Sequence, residues 1–243
     1  PQLFAMEMKP YRDLHLFAAG GCCGTTPEFI KLLNSVFAGC VPGRSAHKMP
    51  SVLCTPVDFV NVDGITVVGE RINPTGKKKL QAQLREGNFE MVRDFAEQQE
   101  QCGAKVLDVN MGMSGIDEKA TLLKAVEEVT MASSLPISID SSYVEVIEAA
   151  LRRYPGRALI NSISYEQYKF QNLLPIARKY GAMFILLPLS DEGLPKDMEE
   201  KISIIEKIAS RAYELGFNKE DIVVDGLVAT VGANKMAALE TME

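Results

Sequence analysis

From residue 65 onward, short apolar runs alternate with longer stretches whose apolar positions recur every three to four residues. The short runs predict strands at 65–70, 105–110, 137–140, 158–161, 183–187 and 222–225. The longer stretches predict helices at 89–102, 118–133, 144–154, 166–180 and 198–215. Strands that alternate with helices make βαβ units and a parallel sheet. Right-handed crossovers then gather every strand C-terminus on one face. Six strands fit an open doubly wound sheet, or an eight-stranded barrel short of two. The open sheet calls for a glycine-rich phosphate turn after its first strand. The segment Gly69-Glu70-Arg71-Ile72-Asn73-Pro74-Thr75-Gly76 lacks that spacing. The expected fold is therefore α/β, of the (β/α)8 TIM-barrel type, with six of eight strands present. Residues 234–243 read as the start of a sixth helix, so the apolar edges at Val67-Val68 and Val223-Val224 are expected to stay unpaired.

Upstream, the pattern changes twice. Residues 38–60 cluster Gly, Pro and Ser without periodicity and read as a linker. Ahead of it, the apolar Leu14, Leu16, Phe17, Ala18 and Ala19 read as a strand entering Gly20-Gly21-Cys22-Cys23-Gly24-Thr25-Thr26-Pro27. Thr26 and Pro27 have the character of a helix cap and first turn. The chain opens at Pro1, inside what reads as the end of another barrel. The expected division is thus 1–37, the last βα unit of a first barrel; 38–60, a linker; and 61–243, a second and truncated barrel. Neighbouring cysteines are hard to bridge to each other but can offer two thiolates to one metal ion. The flanking glycines let the backbone turn sharply there. Cys40, Cys54 and Cys102 read as core or linker thiols.

Composition narrows the function. The 243 residues are 47% hydrophobic, enough for a large core, and carry a net charge of −6. One basic run, Lys77-Lys78-Lys79, reads as a solvated helix face, so nucleic acid is not the expected partner. No 18-residue apolar stretch and no secretory leader occur, and five cysteines suit a reducing, cytoplasmic setting. The two histidines, His15 and His47, lie in no motif, which argues against a Ser-His-Asp hydrolase.

The predicted strands end in polar residues: Glu70 then Asn73, Asp108 then Asn110, Asp140, Asn161 and Asp225. Groups converging from such positions offer many acceptors and few cations. That suits a neutral heterocycle rich in N–H donors, and a pterin fits.

The segments Val68-Gly69-Glu70-Arg71-Ile72-Asn73-Pro74-Thr75-Gly76, Leu107-Asp108-Val109-Asn110, Ile139-Asp140-Ser141, Ile160-Asn161-Ser162 and Val224-Asp225-Gly226-Leu227 resemble the methyltetrahydrofolate barrel of the pterin-binding family. Together with the Cys22-Cys23 motif, the chain resembles a piece of the cobalamin-dependent methionine synthases. It would span the end of their homocysteine barrel and most of their folate barrel. The resemblance implies that Asp140, Asn161 and Asp225 contact the pterin, that Glu70 and Asn73 line the same pocket, and that Asp140 and Asn161 hold the water that delivers a proton to N5. It implies zinc held by Cys22, Cys23 and a third cysteine upstream. It also implies 5-methyltetrahydrofolate and homocysteine as substrates, and cobalamin on another module. Asp108 and Asn110 stay open between packing and ligand contact, and Arg71 is expected to pair with a barrel carboxylate. Gly226 departs from the family, which often has proline there. Dihydropteroate synthase, a folate:corrinoid methyltransferase and a non-catalytic pterin-binding fragment are the competing readings.

Overall fold

A computed structural model describes residues 1–43, 50–228, 239 and 241. The chain divides into two compact units, Pro1–Lys48 and Met49–Glu243. His47 lies outside the described residues. So does the expected helix at 234–243, apart from Leu239 and Thr241.

In the first unit, helix α1 (Gln2–Met8) runs into a short 3-10 helix (Lys9–Leu14), and α2 spans Pro27–Val36. Pro27 opens α2, as the sequence predicts; Thr26 holds the N-cap position with extended backbone, but its side chain makes no capping hydrogen bond. The expected strand around Leu14–Ala19 does not form; residues 15–26 are neither helix nor strand. The correction has a simple cause. An extended segment needs a neighbour to satisfy its N–H and C=O groups, and no strand is present in the described part of this unit.

The second unit begins with a hairpin inside the stretch read as linker: β1 (Val52–Cys54) pairs antiparallel with β2 (Phe59–Asn61). Six parallel strands follow, with helices between them. They are β3 (Val68–Ile72), α3 (Lys78–Arg85), α4 (Glu90–Gln101), β4 (Val106–Asn110), α5 (Glu118–Ala132), β5 (Ile137–Asp140), α6 (Val144–Arg153), β6 (Leu159–Tyr165), α7 (Gln167–Tyr180), β7 (Met183–Ser190), α8 (Met198–Glu214) and β8 (Ile222–Val224). The sheet order is β3-β4-β5-β6-β7-β8, each strand beside its successor, as in a barrel. Among the described residues β3 and β8 do not pair, and Val67, Val68, Val223 and Val224 are partly exposed there.

Alternation along the strands explains the layers. Leu107, Val109, Ile137, Ile139, Ile160, Phe184 and Leu186 point outward into the helices and are buried with Leu122, Val126, Ile147, Leu174 and Ile208. The inward positions change character along the barrel axis. At the N-terminal end Val106, Leu159 and Met183 pack around Leu53 of the hairpin, which is 0% exposed and plugs the barrel floor. Further along the axis the inward positions become polar, Asp108 beside Ser138 and then Asn110, Asp140 and Asn161.

The hairpin is tied down by backbone. Cys54 N donates to Arg157 O at 3.1 Å, and Arg157 N donates to Cys54 O at 3.0 Å. Gly156 allows that approach, because a Cβ there would collide with Cys54 O. The Tyr154 hydroxyl also donates to Cys54 O, at 3.0 Å. Cys54 is thus part of the floor.

Candidate functional site

Three neighbouring strands are in register at one level, where β4 and β5 end; β6 runs on to Tyr165, so Asn161 lies within its strand rather than at the end expected from the sequence. Asn110 stands opposite Asp140, and Asp140 opposite Asn161. One layer below, Asp108 stands opposite Ser138. Because side chains alternate, Asp108 and Asn110 share the inward face of β4. Asn110 Nδ2 donates to Asp140 Oδ2 at 2.8 Å, and Asn161 Nδ2 donates to Asp108 Oδ1 at 3.1 Å. The row is therefore linked along and across the sheet, with Asp140 and Asn161 half-buried at its mouth.

Glu70 and Asn73 join from β3. The β3–β4 register slips between Gly69 and Ile72, and Gln99 of α4 fills the break. Its Oε1 accepts the Arg71 N–H at 2.8 Å, and its Nε2 donates to Phe95 O at 3.0 Å. Gly69 is required for this contact: a Cβ would lie 2.6 Å from Gln99 Oε1. Past the break, Asn73 Nδ2 donates to Glu70 Oε1 at 2.7 Å, and Asn73 Oδ1 accepts from Thr75 N at 2.9 Å. The Arg71 guanidinium lies 5.4 Å from the Phe95 ring centroid, so the ion pair expected for it is replaced by an aromatic contact.

Asp225 follows β8 and is exposed. Its Oδ1 accepts from Leu227 N at 2.8 Å, which shapes the turn. Gly226 has a local reason for departing from proline. Its carbonyl accepts from buried Lys201 Nζ at 2.8 Å and from Thr241 Oγ1 at 3.0 Å, and a Cβ there would collide with Thr241.

The electrostatics follow from carboxylates crowding a partly dry cup. Asp108 is pushed up to about 6, first by burial and then by the charges of Asp140 and Glu70; Ser138 and Asn161 pull it down. Asp140 is raised first by burial, then by Glu70 and Glu118, against the opposing Asn110 hydrogen bond and Lys169. Asp108 is 3% exposed, and it is one of the two residues, with Asn110, that the sequence left undecided. Its signal was the inward phase it shares with Asn110, but the burial that sets its acidity is not visible in a single strand. A carboxyl near 6 can hold or release a proton around neutrality.

Beside the row opens a cleft of about 400 Å³ between Asn110, Gly112, Glu118, Ser141 and Tyr143. A second cleft, of about 390 Å³, lies between α7 and α8 against Tyr165, Phe170 and Lys207, outside the row.

Cys22 and Cys23 lie in the other unit and both are exposed. Among the described residues no group of three or more His, Cys, Asp or Glu could hold a metal ion. Two thiols are half of a tetrahedral set, so the described residues do not by themselves fit a zinc site. Among the described residues no helix is long and apolar enough to cross a membrane.

Comparison with known proteins agrees with this geometry. Methionine synthase of Mycobacterium tuberculosis (strain ATCC 25618 / H37Rv) is 29% identical over 244 residues, covering 95% of this chain and 20% of that protein. Methionine synthase of Mycobacterium leprae (strain TN) is 28% identical over 237 residues, covering 92% and 20%. The chain thus spans about a fifth of the length of these curated relatives. Among solved structures, dihydropteroate synthase from Vibrio fischeri ES114 superimposes with a TM-score of 0.53 at 21% identity, covering 73% of this chain and 67% of that one. The Xanthomonas albilineans dihydropteroate synthase in complex with 7,8-dihydropteroate gives 0.55 at 19% identity, covering 76% and 69%. At these identities the structures establish the shared fold. The family model "Pterin binding enzyme" matches residues 69–243, which run from the start of the Gln99-filled break through the whole polar row; the chain belongs to the pterin-binding enzyme family.

Proposed function

We propose that the polar row holds the pterin ring of 5-methyltetrahydrofolate, and that the chain is the folate-binding part of a methyltransferase that passes the N5 methyl by way of cobalamin to homocysteine. One observation carries the reading. Asn110 and Asp140, at the ends of β4 and β5, stand in register with Asn161 of β6 above buried Asp108, an acceptor-rich cup matched to the N–H edge of a pterin. The relatives named methionine synthase add support, because their similarity extends over residues that precede the family match at 69–243.

In this reading Asp140 and Asp225 accept from ring and amino N–H groups. Asn161 contacts the pterin edge, and Glu70 and Asn73 close the β3 side. N5 is a tertiary amine and leaves only when protonated or strongly hydrogen-bonded. Water held by Asp140 and Asn161 reaches it, and Asp108, near 6 and bonded to Asn161, supplies the nearby proton store. Holding the ring fixed aligns the methyl for transfer. When bound by its own module, the corrinoid supplies the methyl acceptor. Of the homocysteine half-reaction, the described residues offer only the thiols of Cys22 and Cys23.

A second reading, dihydropteroate synthesis, draws support from the shared fold. The intact protein decides between them when assayed both ways. Demethylation of 5-methyltetrahydrofolate dependent on reduced cobalamin is expected, with no condensation of a dihydropterin diphosphate with 4-aminobenzoic acid. Condensation without demethylation would replace the first reading with the second.

A further inference from the structure

We propose that Glu118 is a positioning residue for Asp140, anchoring through Ser141 the loop that carries it; this rests on the reading of Asp140 as a pterin acceptor. Glu118 is the first residue of α5, far from Asp140 in sequence, and its Oε1 accepts from Ser141 Oγ at 2.6 Å. Ser141 follows Asp140 directly and is 6% exposed. The same hydroxyl oxygen accepts from Tyr143 N at 3.1 Å, at the start of α6. One buried hydroxyl thus ties the end of β5 to two helices.

Asp140 is held from the other side by Asn110 Nδ2, and Asn110 Oδ1 accepts from Gly112 N at 2.7 Å. A Cβ on Gly112 would crowd Asn110 Oδ1 at 3.2 Å, with Glu118 Oε2 only 3.7 Å away. The loops after β4 and β5 therefore close on each other at one place, and Glu118 is the side chain that joins them. Glu118 makes no direct bond to Asp140, so it acts through Ser141 and through its charge. The charged groups around Asp140 are Glu70 from β3, Asp108 from β4, Glu118 from α5 and Lys169 from α7. Glu70 and Glu118 disfavour its ionised form, and Lys169 favours it.

The two actions separate by substitution. In Glu118→Gln the amide oxygen still accepts from Ser141, but the charge is gone. Glu118→Ala loses both, and Ser141→Ala keeps the charge while losing the anchor together with the bond to Tyr143 N. The probe is 5-methyltetrahydrofolate, titrated calorimetrically into the intact protein from pH 5 to 8. Ligand binding needs Asp140 ionised, so affinity falls as pH drops through its pKa. Removing the Glu118 charge eases that ionisation, so in Glu118→Gln the acid limb should move to lower pH while affinity at pH 7.5 stays within about twofold. Glu118→Ala and Ser141→Ala should each bind about three- to tenfold more weakly at pH 7.5, because the lost bonds position Asp140 and do not touch the ligand. Asp108, pushed up to about 6, also titrates within this pH range, but its neighbouring charges are Asp140 and Glu70, so the shift in Glu118→Gln reports on Asp140. An unmoved acid limb in Glu118→Gln, or wild-type affinity in Glu118→Ala and Ser141→Ala, would overturn the inference. Asp140→Asn separates the two failures. If it binds like wild type, the reading of Asp140 is wrong and the inference falls with it; if it binds weakly while the Glu118 variants do not differ from wild type, the inference alone fails.

Discussion

Replacing Asp140 or Asn161 with alanine should weaken 5-methyltetrahydrofolate binding about ten- to a hundredfold. Losing a hydrogen bond to a charged, partly buried group costs about 1.5–3 kcal/mol, and each 1.4 kcal/mol is tenfold in affinity. The two variants fail for different reasons. Asp140→Ala removes an acceptor for the ring and leaves Asn110 Nδ2 without its partner. Asn161→Ala leaves Asp108 Oδ1 without the donor that stabilises its ionised form, so Asp108 should rise further above 6. Calorimetry at pH 7.5, with thermal unfolding to show the fold intact, checks both. Wild-type affinity in either variant would remove that residue from the site.

The second large effect belongs to the barrel floor. Arg157→Ala should destabilise the protein by about 3 kcal/mol, the cost of removing one partner of a buried ion pair. Arg157 Nη2 meets Asp221 Oδ1 at 2.5 Å, with the two side chains 14% and 9% exposed. The same guanidinium donates to Val52 O at 2.9 Å and to Gly181 O at 2.9 Å, joining the hairpin to the end of α7. The substitution strands Asp221, whose other oxygen accepts from Asn218 N at 2.7 Å. It also loosens the hairpin that carries Leu53. Arg157→Lys should recover part of the loss, because one ammonium cannot reach all three partners. Urea unfolding reads the difference; a loss under about 1 kcal/mol would mean the pair acts like an exposed surface bridge.

How much of this was legible in the sequence depended on whether a feature was local. The six parallel strands and five of the helices between them form close to where periodicity put them, because each alternation is written within a few residues; α3 at Lys78–Arg85 was given no range, and β3, β6 and β7 run on to Ile72, Tyr165 and Ser190, past their expected ends. The polar residues Glu70, Asn73, Asp140, Asn161 and Asp225 were visible for the same reason, since polarity arrives where an apolar run stops, although Glu70 and Asn161 lie within β3 and β6 and not at their ends. What the sequence did not reveal is what depends on distant partners. The hairpin at 52–61 has strands of three residues, too short for a pattern, and it forms because Leu53 fits among Val106, Leu159 and Met183. The expected strand at Leu14–Ala19 failed because strand formation needs a neighbour that composition cannot show. Arg71 offered a charge, and the structure uses its flat face on Phe95. Asp108 looked like packing or ligand contact with equal weight, and only burial among Ser138, Asn161, Asp140 and Glu70 gave it an acidity near neutrality.

A crystal structure of the intact protein with 5-methyltetrahydrofolate tests the central claim most directly. The pterin ring should lie at the C-terminal ends of β4 and β5 beside Asn161 of β6, with Asp140 and Asn161 within hydrogen-bonding distance of its N–H edge and Asp108 beneath Asn161. A ring bound elsewhere, such as the cleft between α7 and α8 beside Tyr165 and Lys207, with the Asn110–Asp140–Asn161 row left empty, would contradict it.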